Sequence, residues 1–537
     1  MPTDGSVRRT VDAWLTPRRA VMASLSSVAC VALIAATPNS PFLPVQPSQA
    51  GPGGPLRLLA GLLMLTRLSN DTLVIVGLLA MIAAGASFLL VLYAAARGML
   101  PMRTVVTLAV CYQVAILLLP LLLSRDVFSY SYYGRIVSRY GGNPYVQTPA
   151  NFPQDPLWQF TWPEWRTASS VYGPTFVWLA AAITAVFHSI TAEIFGFKVT
   201  AIGAMLGSMA IVRSVAERVD PRRAAYAVAI IGLNPILIFH TAGGGHVDAL
   251  VMLSVASAIW LVVDGRGLAA TAALTFGALV KVTAAVPLAL LIAYLVARSE
   301  PGRRLGLLAK HVGLAAGISL VTALPFLQTH NPTLGMLDLV HHDSWMAPPE
   351  LMERLFEAIG RGVAGSVGGS VGVDLARMTV FAAIAVGVFL IGRQVVRKAA
   401  AEGPTFLGAA WGWSLLLMML ASPTLFPWYF AWVVPVAWML PRVPRRTLEF
   451  ACAILAASQL DVLSFRLPPW MQVKLVYGHP VLILLLVWFA ADLWRRLRAD
   501  VSLGLENVPS LKSAPDDDSS ITLPSSDVVP MSGGAGS

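Results

Sequence analysis

The sequence predicts an all-α polytopic membrane protein, and three observations carry that prediction. Of 537 residues, 56% are hydrophobic and only 12% charged. Water-soluble domains carry about a quarter charged residues, so this chain has too little polar side chain to cover a surface. Apolar runs of membrane-crossing length recur along the chain, and clusters of Lys and Arg fall between alternate runs. Disordered, collagen-like and disulfide-framework chains are excluded by the same composition, because 43 Gly and 37 Pro are ordinary for this length and there are 3 Cys. Cys30, Cys111 and Cys452 all lie inside apolar stretches, which suggests neither a disulfide nor a thiolate metal site. A net charge of +10 would suit nucleic acid in a soluble protein. In a membrane protein it reads as short basic cytoplasmic loops, and no nucleic-acid partner is expected.

A hydrocarbon core of about 30 Å needs roughly 17 to 25 apolar residues per helix. Residues 1–19 read as a cytoplasmic N-terminal segment. Spans follow near 20–37, 71–96, 104–123, 199–216, 224–239, 247–263 and 268–280. They continue near 283–296, 306–327, 372–392, 404–421, 428–440, 447–464 and 479–494. That makes about 14 spans, several of them short. The basic clusters are at Arg8, Arg9, Arg18 and Arg19; Arg97 and Arg103; Arg218, Arg222 and Arg223; Arg298, Arg303, Arg304 and Lys310. Further clusters are at Arg393, Arg397 and Lys398; Arg442, Arg445 and Arg446; and Arg495, Arg496 and Arg498. All fall on one side if both termini are cytoplasmic. This requires the apolar stretch 172–190 to lie in the interface without crossing. Two long connections, 124–197 and 328–371, then face the exterior, and any chemistry is expected there. Residues 20–498 form the membrane domain. From 499 to 537 the chain turns rich in Ser, Asp, Pro and Gly, and reads as a disordered cytoplasmic tail.

The third span is followed by Ser124-Arg125-Asp126-Val127-Phe128-Ser129-Tyr130, then by Gly142-Asn143-Pro144-Tyr145. An Asp at the exterior mouth of a helix, beside an aromatic amphipathic segment, puts a carboxylate where headgroups and water meet. That suits a general base acting on a lipid-linked substrate. Alternatively, Asp126 caps the following helix and pairs with Arg125. The loop ends in a tryptophan-rich run (Trp158, Trp162, Trp165) and Tyr172-Gly173-Pro174, where aromatic faces either stack on sugar rings or form the ordinary interfacial belt.

Between the fifth and sixth spans lies Asn234-Pro235, then Gly243-Gly244-Gly245-His246-Val247-Asp248. Three glycines let backbone N–H groups approach an anion ahead of a helix N-terminus. No Gly-Lys-Ser/Thr follows, so this is no nucleotide P-loop. His246 and Asp248 show no complete metal ligand set, and Asp248 also suits helix capping. Lys281 separates two short apolar stretches on the exterior side, where a cation either binds phosphate or snorkels to the headgroups. His341-His342-Asp343 with Trp345, and Ser422-Pro423-Thr424 running into Pro427-Trp428-Tyr429, add polar and aromatic points on that face.

Together these segments resemble the actinobacterial polyprenol-phosphate-mannose-dependent α-1,6-mannosyltransferases of lipomannan assembly, which are multi-span membrane glycosyltransferases of the GT-C class. The likeness covers the membrane region and excludes the tail. Val247 stands where the family pattern has Asn, and Val171 where it has Ser-Pro. The resemblance implies a GT-C-like bundle of about 13 to 14 transmembrane helices, with interfacial helices in the first large exterior loop. It also implies transfer of mannose, with inversion, from polyprenyl phosphate mannose to a lipid-linked or mannan acceptor outside the cell membrane. Asp126 corresponds to the family's essential Asp. Arg125, Lys281 and His246 are then expected at the donor phosphate, and Tyr130, Tyr145, Tyr172, Asp248, Trp428 and Tyr429 at the substrates. Membrane lipids are the remaining partners, and no metal or other cofactor is expected, because the exterior loops carry no Asp-x-Asp nucleotide-metal motif and a phosphate leaving group, already an anion, needs no general acid. Two other readings keep the many spans: the same fold using another sugar or linkage, and a transporter or flippase of lipid-linked saccharides. The latter predicts polar residues along a path through the bilayer midplane, whereas here the polar motifs crowd one face.

Overall fold

A computed structural model describes residues 16–44, 56–328, 334–336, 347, 349–421, 425–458 and 478–504. Outside it lie Arg8 and Arg9, the His341-His342-Asp343 and Trp345 segment, Ser422 to Thr424 and the tail beyond 504. The regular structure of the described residues is all helical, without a strand, as expected for an all-α polytopic membrane protein.

Local chemistry sets the first helices. Helix α1 (Pro17–Ala35) starts with Pro in its first turn and with the Thr16 hydroxyl accepting from the Arg19 N–H. α2 (Asn70–Ala96) is capped by Ser69, and α3 (Met102–Leu117) follows Pro101. Ser24 bonds the Tyr112 hydroxyl at 2.8 Å and Ser27 bonds Ser87 at 3.0 Å, tying these three helices through small polar groups. Next come α4 (Asp126–Ser138), α5 (Pro174–Val186) and α6 (Ile190–Val219). α7 (Ala224–Gly232) bends by 41° into a π-helical turn, Ile236–Ala242. α8 (Asp248–Val263), α9 (Gly267–Ala278), α10 (Ala285–Arg298) and α11 (Arg304–Ala323) follow, each packed against the next. α12 (Glu350–Lys398), α13 (Pro404–Ala421), α14 (Arg442–Leu455) and α15 (Gly478–Arg498) complete the bundle.

By length and composition, six helices among the described residues suffice to cross a membrane, or seven if the bent pair around Asn234 is one span. That is fewer than the 14 or so apolar runs. α3, α8, α9 and α10 are 16, 16, 12 and 14 residues long. The runs 104–123 and 268–280 continue past the ends of α3 and α9 into irregular backbone. The run 428–440 is no α-helix: Pro427 and Pro435 break it into two 3₁₀ segments, Pro427–Trp432 and Val434–Met439, buried throughout. Nor is 328–371 simply a loop. α12 begins at Glu350 and reverses at Ala364 and Gly365, the latter with φ +61°. Its arms lie so close that a Cβ on Gly360 would sit 1.9 Å from the Gly368 carbonyl oxygen.

The basic connections gather together. Arg218 bonds Asp264 at 2.5 Å, Arg223 reaches the Trp438 carbonyl, Arg298 the Ala399 carbonyl at 2.7 Å, and Lys398 the Asp500 carbonyl. On α6, Lys198 stands 20 residues before Arg218, about 30 Å away at 1.5 Å per residue. Around Lys198 the other set of connections converges.

Candidate active site

Asp126 is delivered by a tight turn. Lys198 sends its ammonium into the carbonyls of Ile116 (2.7 Å), Leu119 (2.6 Å) and Pro120 (3.3 Å), capping the end of α3 with a buried cation. Leu123 then takes a positive φ of 60°, held by its N–H on the Phe42 carbonyl at 2.8 Å. A non-glycine residue held there is strained, and such strain gathers where a side chain must be aimed. Asp126 opens α4, and its N–H donates to the Ser124 hydroxyl at 3.1 Å. It neither forms a side-chain cap nor pairs with Arg125, so the capping alternative fails.

Far end and near end of α4 are both fixed. Arg135, 2% exposed, holds Asp155 at 2.7 Å and Glu193 at 2.9 Å, while Arg139 adds a second contact to Glu193 at 2.5 Å. One turn from Asp126, the Tyr130 hydroxyl lies 3.2 Å from Nδ1 of His246, and the Tyr172 hydroxyl donates to Tyr130 at 3.3 Å. Asp126 Oδ2 is 3.6 Å from the same His246 nitrogen. Tyr172 is anchored because Gly173 and Thr175 donate to the carbonyls of Val280 and Leu279. A side chain at Gly173 would run into Leu279.

Lys281, in extended backbone between α9 and α10, donates to Asp248 Oδ1 at 2.9 Å. The Trp432 indole donates to the same oxygen at 2.7 Å. The Lys281 ammonium lies 3.9 Å from the Tyr429 ring centre and 4.8 Å from that of Trp432. Trp428 stacks on His246 at 3.8 Å and 16°. Nε2 of His246 and Oδ2 of Asp248, both buried at this centre, have no partner among the described residues. Orphaned buried polar atoms in a site of this kind mark positions that a ligand completes.

Of the residues singled out from sequence, Asp126, Tyr130, Tyr172, His246, Asp248, Lys281, Trp428 and Tyr429 therefore form one contact network. Tyr145 stands behind it, its hydroxyl on the Tyr172 carbonyl at 2.8 Å. Arg125 points elsewhere, to the Pro44 carbonyl at 2.6 Å and the face of Trp162. Two expectations are corrected. The glycine N–H groups are not free for an anion: those of Gly243, Gly244 and Gly245 donate to Ile238, His240 and Ala242. The glycines serve close packing, since a Cβ on Gly243 or Gly244 would strike the preceding turn, and Gly245 has φ +65°. Asp248 does not cap α8, because its bonded oxygen is taken by Lys281 and Trp432.

Asp126 keeps 25% of its side chain exposed. Burial pushes its carboxyl up to about 6, and the neighbouring Asp248 charge pushes the same way, against the Ser124 hydrogen bond and the Lys281 charge. A carboxylate at that value is still mostly ionised at neutral pH and is basic enough to accept a proton from a hydroxyl under attack. Among the described residues no cluster of three or more His, Cys, Asp or Glu is placed to hold a metal ion.

Residues 28–298 match the family described as alpha-(1->6)-mannopyranosyltransferase, N-terminal domain. That match takes in half the chain and most of the network. The chain belongs to this family. It is similar to alpha-(1->6)-mannopyranosyltransferase A of Mycobacterium tuberculosis, with 28% identity over 356 residues, 62% of this chain and 66% of the relative. It is also similar to alpha-(1->6)-mannopyranosyltransferase A of Corynebacterium glutamicum, with 31% identity over 169 residues, 31% of this chain and 34% of the relative. The chain thus spans just under two thirds of the first relative and one third of the second. No solved structure matches it.

Within the family region lie Asp126, Tyr130, Tyr172, His246, Asp248 and Lys281, whereas Trp428, Tyr429 and Trp432 come from outside it. Trp432 is the residue that sequence reasoning misses. The apolar run 428–440 reads as a span, which would scatter its aromatics around a helix facing lipid. The two prolines were the available signal, because a 3₁₀ turn places Tyr429 and Trp432 three residues apart on one side, with rings stacked at 4.4 Å.

Proposed function

We propose that the protein transfers a mannosyl group from polyprenyl phosphate mannose to a mannan or lipid-linked mannoside, forming an α-1,6 linkage with inversion on the extracytoplasmic face. The observation that carries this reading is the convergence of Asp126, His246 and the Lys281–Asp248 pair into one aromatic-walled centre. The family membership supplies the sugar and the linkage that this chemistry fits.

The acceptor hydroxyl approaches Asp126, whose partly exposed carboxylate takes the proton as the hydroxyl oxygen attacks the anomeric carbon. The carbon–oxygen bond to phosphate breaks on the opposite face, and its electron pair leaves with the phosphate. Lys281 keeps two ammonium hydrogens after donating to Asp248, and these meet the charge growing on the departing phosphate in a water-poor setting. Nε2 of His246 is buried and unbonded among the described residues, and suits a sugar hydroxyl. Tyr172, Trp428 and Tyr429 offer faces for the sugar ring.

Two observations support the exterior placement. The basic connections lie at the other end of α6 from Lys198, and Asp126 opens a loop that carries none of those clusters. A nucleotide-sugar donor is cytoplasmic, so a site on this face needs a lipid-carried sugar. Incubating membranes containing the protein with radiolabelled polyprenyl phosphate mannose and a short mannoside, followed by linkage analysis, tests the reading. The expected product carries a new α-1,6-linked mannose. Absence of transfer, or transfer of another sugar, would overturn it.

A further inference from the structure

Arg125 and Arg166 are not part of the network around Lys281, yet they are arranged alike. The Arg125 guanidinium lies 4.3 Å from the ring centre of Trp162, and that of Arg166 lies 4.5 Å from the ring centre of Trp158. Trp162 precedes and Arg166 closes a single helical turn, Pro163–Arg166, so one short element carries one partner of each stacked pair. Among the described residues no carboxylate forms an ion pair with either. Nε of Arg166 is buried without a partner, and Arg125 commits only Nε, to the Pro44 carbonyl, which leaves its two terminal nitrogens without a partner among the described residues. Elsewhere in this loop the guanidiniums are matched: Arg135 and Arg139 share Asp155 and Glu193.

We propose that Arg125 and Arg166, each laid on a tryptophan face, bind one phosphate group carried by a lipid substrate at a site separate from the Lys281 centre. Planar guanidiniums present forked donors that match phosphate geometry, and stacking on indole fixes their planes before the ligand arrives. Two like charges held half-buried are unfavourable without an anion between or beside them. Burial, and after it the Arg166 charge, lowers the pKa of Arg125, in keeping with that tension. Arg125 directly precedes Asp126 in the chain, and its side chain turns from the His246 centre to Pro44 and Trp162. The inference rests on the proposed function only in taking the phosphate to be a lipid's. The donor's one phosphate lies at Lys281 during transfer, so the source is either the polyprenyl phosphate left once the sugar has gone or a phosphodiester anchoring the acceptor.

Binding can be read without turnover. The full-length protein in nanodiscs is titrated with polyprenyl phosphate lacking sugar, and separately with a phosphatidylinositol as a phosphodiester lipid, while tryptophan fluorescence is recorded. Arg125→Gln and Arg166→Gln are each expected to weaken one of the two lipids about tenfold, and the double variant further. Loss of polyprenyl phosphate binding assigns the site to the spent carrier, and loss of the phosphodiester assigns it to the acceptor. Arg166→Lys keeps the charge without the planar fork and is expected to recover part of the affinity, which separates ligand binding from a folding defect. If the double variant keeps its melting temperature and binds both lipids as the native protein does, the proposal is wrong. Because no sugar transfer is measured, this outcome is independent of whether the mannosyltransferase reading stands.

Discussion

Lys281 and Asp248 form a buried ion pair, with Nζ 2.9 Å from Oδ1 and side-chain exposures of 8% and 0%. The pair joins the start of α8 to the connection between α9 and α10, and the Trp432 indole closes it from a third segment. Taking two charges out of water is costly, and their attraction repays it only with good geometry and further hydrogen bonds. A pair of this kind at the centre of the network has both a structural and a chemical consequence.

The two separate on mutation. Lys281→Met leaves Asp248 charged and unpaired, and is expected to destabilise the protein by about 3–5 kcal/mol, with transfer lost. The double variant Lys281→Met with Asp248→Leu removes both charges. It is expected to regain most of the melting temperature but none of the activity, because the cation facing the phosphate is gone. Thermal unfolding and a donor-transfer assay on both variants decide the matter. Recovery of activity in the double variant would reduce the pair to packing.

Arg135 is expected to be the most sensitive polar position away from the reacting groups. Its guanidinium compensates both Asp155 and Glu193. Arg135→Ala leaves the buried Asp155 carboxylate without a cation and Glu193 with Arg139 alone, for a loss of about 3–5 kcal/mol. Arg135→Lys is expected to fold but to lose melting temperature, since an ammonium cannot reproduce the forked contacts. Scanning fluorimetry on detergent-solubilised protein measures both.

Lys198 acts at a distance. Its three carbonyl contacts fix the segment from Ile116 to Pro120, and through it the strained turn at Leu123 that aims Asp126. Lys198→Met is expected to lower kcat tenfold or more with donor KM changed less, and Lys198→Arg to restore part of kcat. A misplacement of about 1 Å at a reacting group suffices for losses of this size. Steady-state kinetics on the two variants tests it, and an equal rise in both donor and acceptor KM with kcat intact would contradict it.

Much of this was legible in the sequence, for identifiable reasons. Apolar runs announce membrane helices because hydrocarbon admits little else, and the motifs around Asp126, His246 and Lys281 mark the places where polar residues interrupt those runs. Convergence was not legible. Nothing local says that Lys281 meets Asp248 across 33 residues of chain, or that Trp432 joins them. Hydropathy misread the run 428–440, since buried 3₁₀ turns and lipid-facing helices are equally apolar. It also failed to separate Arg125 from Asp126, neighbours in sequence whose side chains serve different surroundings.

The Asp126 carboxyl connects activity and stability with opposite signs. Its pKa of about 6 lies above the ordinary carboxylate value of about 3.9, so the folded protein holds the proton more tightly than the unfolded chain. The stabilisation from protonation is complete below pH 4 and is lost as pH rises through 6. Activity runs the other way, because the base must be ionised, and kcat/KM is expected to fall tenfold per pH unit below about 6. Asp126→Asn removes the buried charge and is expected to raise the melting temperature at pH 7.5.

The most direct measurement is turnover by Asp126→Asn with polyprenyl phosphate mannose and a mannoside acceptor, alongside donor binding to the same preparation. The variant is expected to fold, to bind donor within a few-fold of the native protein, and to lose transfer by about 10²-fold or more. Transfer close to the native rate, with the acid limb near pH 6 still present, would show that another group takes the proton and that Asp126 is not the base.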